Sequence, residues 1–111
     1  SDEKNTRIEH RIAGADANPY LVTAAVLAGI LHGLDSKGDP GPAIVGNAYE
    51  QTEQRQLFWR DTINDFMASG FIKDMFGAEF QHVYGQQKLK EMRSFYTEVT
   101  TLEYDWYLRS V

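Results

Sequence analysis

Asn18-Pro19-Tyr20-Leu21 opens a run that stays apolar to Leu34, broken by Thr23 and His32. No other segment constrains the fold as much. Asn18 supplies a polar cap, and Pro19 fits the first helical position, where a missing N–H costs nothing. Leu21, Ala24, Ala25, Ala28 and Leu31 then form one stripe, while Val22, Val26, Leu27 and Ile30 fill much of the remaining surface. A helix apolar nearly all round is buried on several sides. The pattern predicts a helix from Asn18 to about Gly33, with Gly33 as its stop. The run reads as too short to cross a bilayer.

Ahead of this helix the pattern changes to alternation. Thr6, Ile8, His10 and Ile12 fall on one face of an expected short strand, and Arg7, Glu9 and Arg11 on the other. A carboxylate between two guanidiniums can hold a divalent cation through oxygen while the arginines fork onto phosphate or carboxylate. The same trio reads equally as a solvated strand face, whose cross-charge neighbours contribute little. No second convincing strand follows, and no initiating methionine precedes it. The expectation is a piece of a larger domain, with the missing sheet upstream.

Composition narrows the classes. The chain has 111 residues, room for one modest domain and one core. A net charge of −5 and a pI near 5.1 argue against a general nucleic-acid or anionic-membrane binder. There is no cysteine, which removes disulfides, thiolate catalysis and zinc–sulfur sites and fits a reducing compartment. The polar start Ser1-Asp2-Glu3-Lys4 shows no signal-peptide pattern.

Beyond Leu34 the reading is helical, with interruptions. Asp35 to Tyr49 is an expected loop, broken by Gly38-Asp39-Pro40-Gly41-Pro42 and by Gly46-Asn47. A helix is expected over about Thr52 to Ser69, ended by Gly70, with Trp59, Ile63, Phe66 and Met67 on one stripe. Phe71–Phe76 reads as a short helical turn closed by Gly77. A longer helix starts near Ala78, with Phe80, Val83, Tyr84, Leu89, Met92, Phe95, Tyr96 and Val99 as its stripe and Gly85 weakening the middle. Thr100-Thr101-Leu102-Glu103 matches a capping box, so a restart is expected there. The tail carries Tyr104, Trp106, Tyr107 and Leu108, which reads either as packing on the chain's own helices or as a contact with another domain or subunit.

Other chemistry is sparse. His10, His32 and His82 share no metal-ligand spacing, and no phosphate-binding glycine motif or Ser/His/Asp set occurs. Asp16 reads as a turn or cap residue. Lys88, Lys90 and Arg93, interrupted by Glu91, read as a solvated helix face.

Arg7-Ile8-Glu9-His10-Arg11 through Ala17-Asn18-Pro19-Tyr20-Leu21, continued by Ala24-Ala25-Val26-Leu27-Ala28-Gly29 and by Leu102-Glu103-Tyr104-Asp105-Trp106-Tyr107-Leu108, resembles the end of the catalytic domain of glutamine synthetases. Gly46-Asn47-Ala48-Tyr49, Val99-Thr100-Thr101 and the closing Trp106-Tyr107-Leu108 are most similar to the gamma-glutamylputrescine synthetase branch. The resemblance implies an ATP-dependent ligase that joins the gamma-carboxylate of glutamate to an amine, putrescine in that branch and ammonia in others, through a gamma-glutamyl phosphate. It implies Glu9 as a ligand of Mg²⁺ or Mn²⁺, and Arg11 as the catalytic arginine that contacts the glutamate carboxylate. It implies Arg7 and Lys4 as contacts to the nucleotide. His10 departs from the small or apolar residue common at its position.

The implied fold is mainly α, with four to five helices and one N-terminal β-strand, residues 1–111 forming the C-terminal part of an α+β catalytic domain. The implied setting is cytoplasmic, in a ring-shaped homo-oligomer, with no nucleic acid or membrane partner. The piece alone is expected to be inactive, because one carboxylate binds Mg²⁺ poorly. The alternative, from another class, is a stand-alone helical interaction module that docks a partner through its aromatic tail.

Overall fold

The computed structural model describes residues 7–47, 50 and 58–110. Five helices occur among them: α1 (Pro19–Ser36), α2 (Trp59–Ala68), α3 (Gly70–Phe76), α4 (Ala78–Thr97) and α5 (Thr101–Tyr107). The chain separates into two units, residues 1–46 and 47–111.

In the first unit α1 starts where the sequence places it. The Asn18 side-chain oxygen accepts from the N–H groups of Tyr20 and Leu21 at 3.0 and 3.3 Å, and Pro19 occupies the first turn. Its end differs from expectation. Gly33 lies inside the helix, which runs to Ser36 and closes on Lys37 at φ 50°, a left-handed conformation that favours glycine. The Gly38 N–H donates to the Gly33 carbonyl at 3.1 Å and the Lys37 N–H to that of Leu34 at 3.3 Å, the paired bonds of a Schellman end. An interior glycine costs only about 1 kcal/mol, so the run continues through Gly33 to the breaker-rich segment. At 18 residues and mean hydropathy 1.2, α1 is longer than the apolar run and reaches the length and composition of a membrane span, as core helices of soluble proteins also do.

No strand occurs among the described residues. Residues 7–12 lie in irregular, exposed chain, and Thr6 lies outside the described set. A strand needs a neighbour for its backbone donors and acceptors, and the described chain offers none. A turn links this segment to α1, with the Ala17 N–H donating to the Gly14 carbonyl at 3.1 Å. A Cβ on Gly14 would sit 2.6 Å from the Asp16 carboxylate oxygen, so a larger residue there would make that side chain shift.

The second unit packs α2 and α3 against α4. Its buried residues are Ile63 of α2 and Gln81, Gly85 and Met92 of α4. Residues 81, 85 and 92 share one helical face. Of the expected stripe of α4, Met92 is buried and Phe80, Tyr84 and Leu89 are half-buried, while Val83, Phe95 and Tyr96 are mostly exposed. Gly85 sits at the point of close approach, where a Cβ would lie 2.6 Å from Met67 Cγ. Gln81 is 8 % exposed and donates through Nε2 to the carbonyls of Phe66 and Ser69, both at 2.8 Å. It thereby adds a second donor to two carbonyls at the α2–α3 junction that already accept from Ser69 N–H and Lys73 N–H.

Ser69 makes that junction. Its N–H closes α2 on the Phe66 carbonyl, and its hydroxyl accepts from Ile72 N–H at 3.2 Å to start α3. Gly70 therefore opens α3 and does not end α2. The part of the expected second helix over residues 52–57 lies outside the described residues. Gly77 at φ 88° separates α3 from α4 as expected. The capping box is present: Thr100 Oγ1 accepts from Glu103 N–H at 3.3 Å, and the Glu103 carboxylate accepts from Thr100 N–H at 2.7 Å. The aromatic tail it launches is exposed, Trp106 at 63 %.

Candidate functional site

The charged segment ahead of α1 is the candidate site. Arg7, Glu9 and Arg11 are all exposed. The Arg11 guanidinium donates through Nη2 to Glu9 Oε2 at 2.9 Å. The two side chains meet although residues 7–12 form no strand. An exposed pair of this kind contributes on the order of 0–1 kcal/mol, so either partner can be drawn off by a stronger ligand. Asn18 and the Gly14–Ala17 turn tie the segment to α1. Lys4 lies outside the described residues.

Among the described residues no group of three or more His, Asp and Glu side chains is placed to hold a metal ion. Glu9 stands as a single carboxylate. Mg²⁺ keeps most of its waters and is held by carboxylates in combination with substrate phosphates, so these residues by themselves do not fit a metal centre. His10, His32 and His82 are exposed and dispersed. The described chain thus brings Arg11 and Glu9 together and leaves Glu9 without companion metal ligands.

A cavity of about 210 Å³ in the second unit escaped sequence reasoning. Trp59, Thr62, Ile63, Phe66, Tyr84 and Gly85 line it, with Lys88. Phe76, Phe80 and Tyr84 stack in a row at centroid spacings of 5.5 and 5.4 Å, and Phe66 meets Tyr84 at 5.4 Å. Lys88 Nζ stands 5.4 Å from the Tyr84 ring and donates to Glu91 at 2.7 Å. The walls carry no carboxylate, and their polar side chains are those of Thr62, Tyr84 and Lys88. Gly85 was the signal for it: a glycine on the buried face of a helix marks a close approach.

Residues 1–107 match the glutamine synthetase catalytic domain. The chain belongs to that family. It is 39% identical over 110 residues to the gamma-glutamylputrescine synthetase of Escherichia coli (strain K12), covering 98% of this chain and 23% of that protein. It is 35% identical over 106 residues to the glutamate–isopropylamine ligase of a Pseudomonas species, covering 92% and 23%. It is 29% identical over 113 residues to the glutamine synthetase of Halobacterium salinarum, covering 94% and 25%. The chain therefore spans about a quarter of the length of these curated relatives. No solved structure matches it.

Proposed function

We propose that this chain is the C-terminal part of an ATP-dependent ligase that joins the gamma-carboxylate of glutamate to an amine, with putrescine as the amine. The observation that carries the reading is the pair of relatives at 39% and 35% identity, whose names specify putrescine and isopropylamine as the amine joined to glutamate. The reaction proceeds by phosphorylation of the glutamate side-chain carboxylate by ATP. The amine nitrogen then attacks the gamma-glutamyl phosphate, forms the amide bond and expels inorganic phosphate.

Each charged side chain receives a role in that chemistry. Arg11 orients and neutralises the glutamate carboxylate as it becomes the acyl phosphate, through the forked geometry that suits a guanidinium to two oxygens. Arg7 and Lys4 hold nucleotide phosphates. Glu9 is one donor to Mg²⁺ or Mn²⁺, the other donors lying in parts of the ligase outside these residues. The chemistry the bound cation supplies is neutralisation of charge on the transferred phosphoryl group. The weak Arg11–Glu9 pair is a resting arrangement: substrate carboxylate draws off Arg11, and Glu9 is then open to the cation.

The reading extends to the setting. Residues 7–12 form a strand once a neighbouring strand from the rest of the domain pairs with them. The ligase is a cytoplasmic homo-oligomer, and the 111-residue chain alone is inactive because it carries one metal carboxylate. The stand-alone interaction module keeps one observation in its favour, the exposed aromatics of α5.

The test is phosphate release by the full-length protein with ATP, glutamate and, in parallel, ammonia, putrescine and spermidine. Release with putrescine, lost in Glu9→Ala, supports the reading. Release with ammonia alone keeps the ligase and removes the amine assignment. No release with any amine overturns the ligase and leaves the interaction module.

A further inference from the structure

We propose that the cavity between α2 and α4 binds a small uncharged aromatic molecule of one ring. Its apolar walls follow from helix periodicity. Trp59, Ile63 and Phe66 recur at i, i+4 and i+7 on α2, and Tyr84 and Gly85 face them from α4. An apolar cavity of about 150 Å³ is large enough for benzene. This one is about 210 Å³, which leaves room for a ring with a short substituent.

The walls are braced from behind. Trp59 meets Phe95 edge-on at 5.8 Å, Phe66 tilts onto Tyr84 at 5.4 Å, and Tyr84 stacks on Phe80 at 5.4 Å. Rings held in this way have little freedom left to lose when a guest enters, and that ordering is a main cost of binding. Aromatic walls favour an aromatic guest, because offset and edge-on ring contacts contribute beyond the area they bury.

Charge selects the class of guest. Among the described residues, Lys88 is the only charged one on the walls. Its ammonium stands 5.4 Å from the centre of the Tyr84 ring and donates to Glu91 at 2.7 Å. A cationic guest would meet the ammonium, and an anionic guest the Glu91 carboxylate beside it. A neutral guest meets a pair whose charges cancel, and it brings no charge to desolvate. The Thr62 hydroxyl gives its proton to the Phe58 carbonyl at 3.3 Å, so it offers a guest an acceptor. Phenol therefore suits the site as a probe. Glutamate and putrescine are charged, so neither is the guest, and the site is independent of the ligase reading.

The test is calorimetric titration of the full-length protein with phenol, benzoate and benzylamine. Phenol is expected to bind saturably, and at least about 10-fold more tightly than either charged probe, which must shed its hydration to enter. Thr62→Trp fills the opening and should weaken phenol by about 10-fold or more, with the far-UV circular dichroism unchanged. Lys88→Leu removes the ammonium and leaves Glu91, so benzylamine as its cation should bind about 10-fold more tightly than to the parent. A misfolded variant would not produce that reversal. No saturable phenol binding overturns the proposal, as do equal affinities for the three probes or unchanged phenol binding in folded Thr62→Trp. If Thr62→Trp does not fold, the indole N–H resonance of Trp59, assigned by its loss in Trp59→Phe, decides in the unsubstituted protein. A shift with phenol supports the site, and phenol binding that leaves this resonance in place overturns it.

Discussion

Residues 58–110 hold their own interior, whereas residues 7–46 carry a more apolar helix that has none. In the second unit Met92 and Ile63 are 2 and 4 % exposed, and the polar Gln81 is buried with its Nε2 bonded. In the first, α1 is nearly uncharged yet buries no residue, and the charged segment ahead of it is exposed. The residues proposed for the chemistry lie in the unit whose helix buries no residue. The contrast shows two ways for a stretch of sequence to be apolar. One closes on neighbours within the chain, and the other is shaped for neighbours elsewhere.

The comparison breaks most visibly if the second unit is hollowed. Met92→Ala removes its most buried side chain, and such truncations cost about 2–5 kcal/mol. Urea unfolding followed by Trp59 fluorescence should show the loss, since Trp59 packs edge-on against Phe95 at 5.8 Å. An unchanged midpoint would mean that α2 and α4 do not form a cooperative core. Gln81→Leu should cost less, about 0.5–1.5 kcal/mol for each lost side-chain hydrogen bond, because the carbonyls of Phe66 and Ser69 keep their backbone donors. The penalty should be local to the α2–α3 junction and visible as faster amide exchange at Ile72 and Lys73.

The same measurement applied to the first unit should give the opposite result. Glu9→Ala breaks an exposed pair, so the stability of the 111-residue chain should move by no more than about 0.5 kcal/mol. The full-length ligase should nevertheless lose phosphate release. A large stability loss in Glu9→Ala would assign the residue to folding and sharpen the division in the other direction.

Legibility followed the same division. Local chemistry was readable wherever one or two neighbouring residues decide the outcome: Asn18 and Pro19 at the start of α1, Gly77 between α3 and α4, Thr100 with Glu103 at α5. It failed where the outcome depends on packing. Gly33 read as a stop but sits inside α1, because a single glycine penalty is smaller than the gain from continuing, whereas at Gly70 the break is real and Ser69 makes it by ending α2 and capping α3. The expected stripe of α4 included the buried Met92 but missed Gln81 and Gly85, a polar side chain and none at all, which a hydrophobic pattern does not register. Glu9 and Arg11 do pair, but in irregular chain rather than on the strand face that the alternation suggested. The partners that would complete a metal site were not, since no group of ligands assembles among the described residues.

The smallest expected effect concerns the surface of α4. The carboxyl of Glu91 is held below its ordinary value, first by the hydrogen bond from Lys88 and then by that from Gln87. A depressed carboxylate favours the folded state while it is ionised. Its contribution is therefore full above the ordinary glutamate value of 4.5 and is lost as pH falls through the lower folded value. Both partners remain partly open to solvent, so salt screens the pair. Glu91→Gln should melt slightly below the parent at pH 7 in low salt, and the two should converge at pH 3 and in 1 M salt. Sodium chloride titrations of thermal unfolding at both pH values check this. A difference that persists at pH 3 would show that Glu91 acts through packing, extending the second unit's interior to a face that now reads as solvated.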